Sequence, residues 1–137
     1  MPYTFSMAND VTNIEERQYG VSKEIRFSTF TSCIGLVAEN GGNVTGVHLS
    51  ILSDTDELFN DNAAEEAIKL LGQYSKVVVM GLIDYWTTKE LIGPYTHLLN
   101  NLTSPIVMPV GDGVYGGKVE INGDFKIYEN GIYVDVP

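Results

Sequence analysis

The 137-residue sequence predicts an α/β (α+β) fold in which mixed β-sheets form a sandwich-like core flanked by two helical regions. Short segments rich in β-branched and aromatic residues, separated by turn residues, indicate many short strands. One amphipathic helix is predicted at residues 63–74. A continuous apolar run at residues 77–80 follows it directly, which is typical of a central strand covered on both faces.

The first half of the chain predicts three strands, at residues 25–31, 34–38 and 44–51. Residues 39–43 join the last two, and their Asn-Gly pair between apolar runs predicts a tight hairpin. An acidic loop follows at residues 53–61. Asn62 is expected to cap the helix, because an asparagine side chain accepts hydrogen bonds from the free N–H groups of a first helical turn.

The second half predicts a strand at residues 75–82 and then a second helical region. Thr87 or Thr88 is expected to cap this region, and the Gly-Pro pair at residues 93–94 is expected to interrupt it. A glycine-rich loop is predicted at residues 111–117. Four short strands precede or follow that loop, at residues 105–110, 118–121, 125–128 and 132–136.

Residues 1–20 show no sustained hydrophobic period and are interpreted as a loosely held N-terminal arm, which leaves residues 21–137 as a single domain. No Sec-type signal peptide is recognised, and no apolar run is long enough to span a bilayer. We therefore expect a cytoplasmic protein, or one delivered to a host cytosol by a route that needs no signal peptide.

The net charge of −10 argues against nucleic acid and against an anionic membrane as partners, because both carry negative charge. The single cysteine excludes an internal disulfide and a multi-cysteine metal site. The acidic loop has Leu58 and Phe59 where a calcium loop needs an oxygen ligand and a glycine. The sequence therefore predicts neither a metal nor a cofactor, and it leaves the oligomeric state open.

The predicted hairpin brings the cysteine close to a histidine. If Asn40-Gly41 forms the two-residue turn, Cys33 lies directly opposite His48. Directly opposed side chains have Cβ atoms roughly 4.5–5.5 Å apart, which is near enough for a thiol and an imidazole to meet. A four-residue loop would move the pair by one diagonal and keep one face, whereas a three-residue loop would place the two side chains on opposite faces.

A thiol beside an imidazole is a chemically useful pair, because the imidazole can take the thiol proton and leave a nucleophilic thiolate. A third group should orient the imidazole, and Thr29 is the preferred candidate, with a main-chain carbonyl as an alternative. Glycines on the same face would leave room for a substrate chain. The candidate substrate-binding residues are Ser32, Gly35, Gly46 and Ser50. A lone strand cysteine is also compatible with a purely structural role in the core.

The sequence motifs around this pair resemble those of the CheD-type glutamine deamidases. A strand runs into TSC at residues 31–33, and a further strand and a Gly-Gly turn precede GVHLS at residues 46–50. The same fold is shared by the catalytic domain of cytotoxic necrotizing factor and by Burkholderia lethal factor. The resemblance covers about residues 25–130, by pattern and order rather than by identity. It implies that Cys33 is the nucleophile and His48 the general base.

The chain departs from the CheD pattern near the third catalytic group. Phe27 stands where CheD members have an assisting threonine, and Thr31 stands where they usually have glycine. In the necrotizing factor relatives a main-chain carbonyl takes the part of the threonine. The resemblance therefore leaves open which group orients His48.

The resemblance implies a cysteine-dependent protein-glutamine deamidase, a hydrolase that releases ammonia through a thioester and that is similar to toxin-like effectors. Its partner would be a protein substrate bearing a target glutamine, and an amine in place of water would give transglutamination. Two alternatives stay open. One is a catalytically inactive CheD-like binding module, and the other is a thiol hydrolase that acts on a small amide.

Overall fold

The chain contains two β-sheets and three helices in the part that a computed structural model describes, residues 3–137. The α+β class predicted from the sequence is thereby confirmed. The strands, in chain order, are β1 (Ser6–Met7), β2 (Gln18–Ser22), β3 (Glu24–Arg26), β4 (Ile34–Asn40), β5 (Asn43–Leu49), β6 (Lys76–Gly81), β7 (Ile106–Pro109), β8 (Tyr115–Val119), β9 (Phe125–Glu129) and β10 (Ile132–Asp135). The helices are α1 (Asp61–Leu71), α2 (Ile83–Trp86) and α3 (Ile92–Asn100).

The larger sheet has six strands in the order β1-β2-β5-β4-β6-β7. Its two outer pairs, β1 with β2 and β6 with β7, are parallel, and its three inner pairs are antiparallel. The smaller sheet has the order β10-β9-β8-β3 and is antiparallel throughout. Strands β4 and β5 therefore lie in the middle of the larger sheet.

Alternate residues of the central strands enter two different cores. Leu36 and Val79 belong to the core that contains the helices, whereas Val37 and Val78 belong to the core that contains the smaller sheet. Successive side chains of a strand point to opposite faces, so the larger sheet is covered on both sides. The layers are helices, larger sheet and smaller sheet. This arrangement explains the continuous apolar run at residues 77–80, every residue of which is fully buried.

Helix α1 begins earlier than the sequence predicts. Its cap is Asn60, whose Oδ1 accepts a hydrogen bond from the N–H of Ala63 at 2.9 Å, whereas Asn62 lies inside the helix. The helix ends at Leu71, before Gly72, which has φ +62°. Two asparagines precede the apolar stripe, and only the first is far enough ahead of it to close the first turn.

The second helical region also differs from the prediction. Helix α2 begins at Ile83, and Thr88 donates to the carbonyl of Tyr85 instead of capping a helix. Helix α3 runs through the Gly-Pro pair without a break. Pro94 is tolerated because it lies in the first turn, where a backbone N–H has no partner within the helix. No helix in residues 3–137 is long and apolar enough to cross a membrane.

The predicted N-terminal arm is packed against the rest of the protein. Tyr3 belongs to the helix-side core and Ile14 to the core between the sheets, and β2 pairs with β5 along four residues. The interpretation of residues 1–20 as loosely held is therefore wrong for residues 3–20, while residues 1 and 2 lie outside the described chain. The side chains that anchor residues 3–20 are too far apart in sequence to produce a recognisable hydrophobic period.

Two further boundaries differ from the predictions. The predicted strand at residues 25–31 is regular only as β3, after which Phe27 and Phe30 form isolated bridges. The predicted loop at residues 111–117 already contains the first residues of β8. Phe30 exchanges backbone hydrogen bonds with Gly113, which ties this loop to the chain just before Cys33.

Candidate functional site

The hairpin between β4 and β5 turns at Gly41-Gly42, not at Asn40-Gly41. Asn40 pairs with Asn43, and Gly35 lies opposite His48. Gly41 has φ +62°, which suits the first central position of a type II′ turn and spares Asn40 a positive φ. The predicted register is therefore wrong by two residues. Because side chains alternate with period two, this shift leaves Cys33 and His48 on one face, separated by one diagonal.

The two glycines beside this pair make room for the smaller sheet. A Cβ at Gly35 would lie 2.6 Å from Cε2 of Phe27, and a Cβ at Gly46 would lie 2.6 Å from Cδ1 of Ile25. Both neighbours are fully buried core side chains. The structure thus corrects the prediction that Gly35 and Gly46 leave space for a substrate, because Phe27 and Ile25 already occupy that space.

The His48 side chain is completely buried and its ring has one fixed orientation. Nδ1 lies 2.8 Å from the main-chain oxygen of Ile14 and 3.5 Å from Oγ of Ser28. The rings of Phe30 and Phe27 pack against the imidazole at centroid distances of 4.8 and 5.5 Å. Since a carbonyl oxygen can only accept, the neutral ring carries its hydrogen on Nδ1. Nε2 then has a free lone pair, and it has no hydrogen-bond partner among residues 3–137.

The Cys33 thiol lies immediately before β4 and is 1% exposed. Its Sγ–H donates to Oε2 of Glu16 at 3.3 Å. Burial is the main cause that raises the pKa of Cys33 to about 12, and the neighbouring Glu16 carboxylate raises it further. Burial likewise lowers the pKa of His48 to about 4. At neutral pH both groups are therefore uncharged, and the thiol proton points to Glu16.

A single stretch of the N-terminal region, residues 14–17, touches both groups, and we refer to it as the covering segment. Ile14 supplies the carbonyl at Nδ1, Glu16 supplies the carboxylate at the thiol, and Arg17 donates its backbone N–H to the His48 carbonyl at 2.8 Å. Sequence reasoning missed these residues because they lie in the predicted arm. Their only sequence signal is the isolated apolar Ile14 in a polar stretch.

The remaining predicted site residues have structural partners. The Oγ of Ser50 accepts from Nη1 of Arg17 at 2.7 Å and donates to the Leu52 carbonyl at 2.6 Å, so it anchors the covering segment. The carbonyl of Ser32 accepts from Nε1 of Trp86 at 2.8 Å, which fixes the backbone beside the cysteine. Thr29 is exposed and is not a hydrogen-bond partner of the His48 ring in the described chain, so the third group is not Thr29.

An open cleft is lined in part by Leu82, a residue that is hydrogen-bonded to the main chain of Cys33. The N–H of Leu82 donates to the Cys33 carbonyl at 3.1 Å, and Leu82 is also part of the cleft wall. The cleft has a volume of about 380 Å³ and lies where the parallel strands β6 and β7 end. The carboxyl ends of parallel strands are common ligand sites in open α/β sheets. Its lining residues are Leu82, Ile83, Asp84, Tyr85, Pro109, Val110 and Gly111.

No family model and no curated protein sequence matches the chain. Within residues 3–137, no group of three or more His, Cys, Asp and Glu side chains could hold a metal ion. The reactive groups of the site are a thiol, an imidazole whose Nε2 has no partner within residues 3–137, and a carboxylate in contact with the thiol.

Proposed function

We propose that this chain is a cysteine-dependent protein-glutamine deamidase with a CheD-like fold, in which Cys33 is the nucleophile and His48 the general base. One observation carries the proposal. The main-chain carbonyl of Ile14 fixes the hydrogen of His48 on Nδ1 and leaves Nε2, which has no partner within residues 3–137, as a base on the same face as the only cysteine. This is the kind of third group that the resemblance to the necrotizing factors implies.

The bonds that form and break in the proposed reaction involve only this pair, the glutamine amide and water. The Cys33 proton passes to Nε2 of His48, and the sulfur attacks the carbonyl carbon of a glutamine side chain to form a C–S bond. The C–N bond then breaks, and the imidazolium gives its proton to the departing nitrogen, which leaves as ammonia. Water attacks the thioester while Nε2 takes a water proton. The C–S bond breaks, the sulfur recovers the proton, and glutamate is released.

The described conformation is closed, because Cys33 is 1% exposed and its hydrogen bond goes to Glu16. In this proposal it is the resting state, and the side chains of Glu16 and Arg17 move when a substrate binds, while the Ile14 carbonyl stays on His48. The side chain of Glu16 is 51% exposed and that of Arg17 is 20% exposed, whereas Ile14 is fully buried. Catalytic hydrogen bonds commonly form fully only in the substrate complex.

A second candidate is a binding module that keeps the fold without activity. The observation in its favour is the same closure, together with the pKa of Cys33 at about 12, which leaves almost no thiolate at neutral pH. The two candidates differ in whether Cys33 changes any glutamine.

The test is conversion of glutamine to glutamate in a cell lysate treated with the purified protein, detected by peptide mass spectrometry. Wild type is compared with Cys33→Ser, and His48→Gln with His97→Gln, since His97 lies on α3, paired with Glu65. We expect specific sites that convert with wild type and His97→Gln only. Equal conversion by wild type and Cys33→Ser would overturn the proposal. Ammonia release from free glutamine, without any protein site, would indicate a small-amide hydrolase instead.

A further inference from the structure

Glu16 reaches the buried thiol from the solvent side. Its Oε2 accepts the Sγ–H of Cys33 at 3.3 Å, while Oε1 lies 3.5 Å from Nη1 of Arg17. The side chain of Glu16 remains 51% exposed, so part of the carboxylate is open to an incoming molecule. It is the charged side chain that an approaching substrate meets immediately beside the sulfur.

The Cys33 thiol is hydrogen-bonded to Glu16 and not to His48. Glu16 holds the proton in the described state, while Nε2 of His48 has no partner within residues 3–137. A thiolate formed beside Glu16 would face a like charge, which disfavours ionisation. Within residues 3–137, the other charged group that acts on the pKa of Cys33 is Arg17, which lowers it and whose guanidinium is bonded to Ser50 and Leu52. A new hydrogen-bond donor for the Glu16 carboxylate would therefore favour ionisation of the thiol.

We propose that Glu16 recognises the side-chain carboxamide of the substrate: its carboxylate accepts an N–H of the amide, gives up the thiol, and so releases the Cys33 proton to His48. This inference rests on the proposed deamidase function and assigns its specificity. A primary amide has two N–H donors, and an ionised carboxylate is an acceptor only. The product glutamate has no such donor and carries a charge that Glu16 repels, which favours its release.

Alkylation of Cys33 in the native protein tests this inference without any deamidation assay. Iodoacetamide carries a primary amide beside its reactive carbon, whereas methyl iodoacetate has no N–H. Both reagents react with the same thiolate, so the ratio of their rates is independent of the thiol pKa. The ratio is divided by that of N-acetylcysteine to remove the intrinsic reactivity of each reagent.

We expect the normalised ratio of wild type to be at least about fivefold, which corresponds to about 1 kcal/mol, the usual net strength of one hydrogen bond. Glu16→Gln keeps the size but loses the charge, and its ratio should fall to within about twofold of N-acetylcysteine. The matched control is Glu15→Gln, an exposed neighbour that should keep the wild-type ratio. Circular dichroism verifies that the variants are folded.

An equal ratio in wild type and Glu16→Gln would overturn the inference. So would a native protein that neither reagent labels under conditions that label the urea-unfolded chain, because no amide would then reach Glu16. These results are independent of deamidation. If the protein converts glutamine but its alkylation ratio does not depend on Glu16, only this inference is wrong. If the ratio depends on Glu16 but the protein converts no glutamine, only the proposed function is wrong.

Discussion

The main-chain oxygen of Ile14 lies 2.8 Å from Nδ1 of His48, and this bond joins the N-terminal region to the middle of the larger sheet. It also determines which ring nitrogen is free. Burial lowers the pKa of His48 to about 4, although the Ile14 bond and the Glu16 charge act in the opposite direction. The ring is therefore a neutral base at physiological pH, and its neutrality has consequences for stability.

We expect His48 to make the folded state less stable as the pH falls from about 6.5 to about 4. In this window the histidine binds a proton in the unfolded state and not in the folded state. Protonation therefore stabilises the unfolded state, and the free energy of unfolding falls. Above about pH 6.5 the histidine is neutral in both states, so this loss of stability is absent. From the shift of 6.5 to about 4, the loss at pH 4 is about 3 kcal/mol. Urea unfolding over a pH series measures it.

The carboxylates of the protein titrate in the same range, so the result is taken as a difference between variants. His48→Gln has no group that titrates here, and its stability deficit relative to wild type should shrink by the same amount at low pH. His97→Gln, in helix α3, serves as the matched control. Its free energy of unfolding should show the same pH dependence from His48 as that of wild type. A deficit of His48→Gln that is constant across the pH series would contradict the assignment.

We expect Gly35→Ala to destabilise the fold, because the added methyl would meet Cε2 of Phe27 at 2.6 Å. Residue 35 and the Phe27 ring are both buried, so the clash cannot be relieved at the surface. Overpacking of this kind costs about 1–3 kcal/mol. Gly93→Ala is the control, since nothing lies within 4 Å of its Cβ position and it is in helix α3. That change should be neutral or stabilising by up to about 1 kcal/mol. Urea unfolding measures the stability of both variants. A Gly35→Ala variant as stable as wild type would contradict the close contact between residue 35 and Phe27.

The two asparagines before α1 should differ in their contribution to stability. Asn60→Ala removes the side chain that accepts from the N–H of Ala63 and should cost about 1 kcal/mol. Asn62→Ala should change stability little or improve it, because Asn62 is an exposed residue within the helix and alanine is the better helix former. Thermal unfolding measures both. A larger loss of stability in Asn62→Ala than in Asn60→Ala would indicate that Asn62 caps the helix, as the sequence predicts.

The strands around the site were predictable because hydrophobic pattern alone determines them. The apolar runs that become β4, β5 and β6 are each buried on both faces, and such runs are recognisable without any knowledge of neighbours. The shared face of Cys33 and His48 followed from the same pattern, since it survives a register error of two residues. Which two residues form the turn was not predictable, because Asn40-Gly41 and Gly41-Gly42 both satisfy the local rules.

The covering segment was not predictable, because its contacts are made by isolated residues to distant strands. Ile14 contributes a backbone carbonyl, which every residue type has, and Glu16 looks like any surface acid in the sequence. The role of Gly35 and Gly46 was missed for a related reason. Whether space beside a glycine is open depends on the other sheet, and Phe27 and Ile25 fill it here.

The Arg17 side chain should control how often the covering segment opens. Its Nη1 donates to Oγ of Ser50 at 2.7 Å and to the Leu52 carbonyl at 3.0 Å, and its backbone adopts a positive φ of +60°. Arg17→Ala removes both side-chain bonds while it leaves Glu16 in place. We expect faster alkylation of Cys33 and faster hydrogen exchange of the residue-17 backbone N–H, which is bonded to the His48 carbonyl.

The two measurements separate opening of the segment from a change in the thiol itself. Loss of two hydrogen bonds, one to a neutral carbonyl and one to a hydroxyl, amounts to about 1–3 kcal/mol, so opening should become about 5-fold to about 150-fold more frequent. Arg26→Ala is the matched control, because the Arg26 guanidinium packs on Tyr128 and donates to Glu24, whereas its bond to the covering segment is made by its backbone carbonyl, which the substitution keeps. If Arg17→Ala labels and exchanges at the wild-type rate, Arg17 does not hold the segment closed, and access to Cys33 must depend on a wider opening between the two sheets.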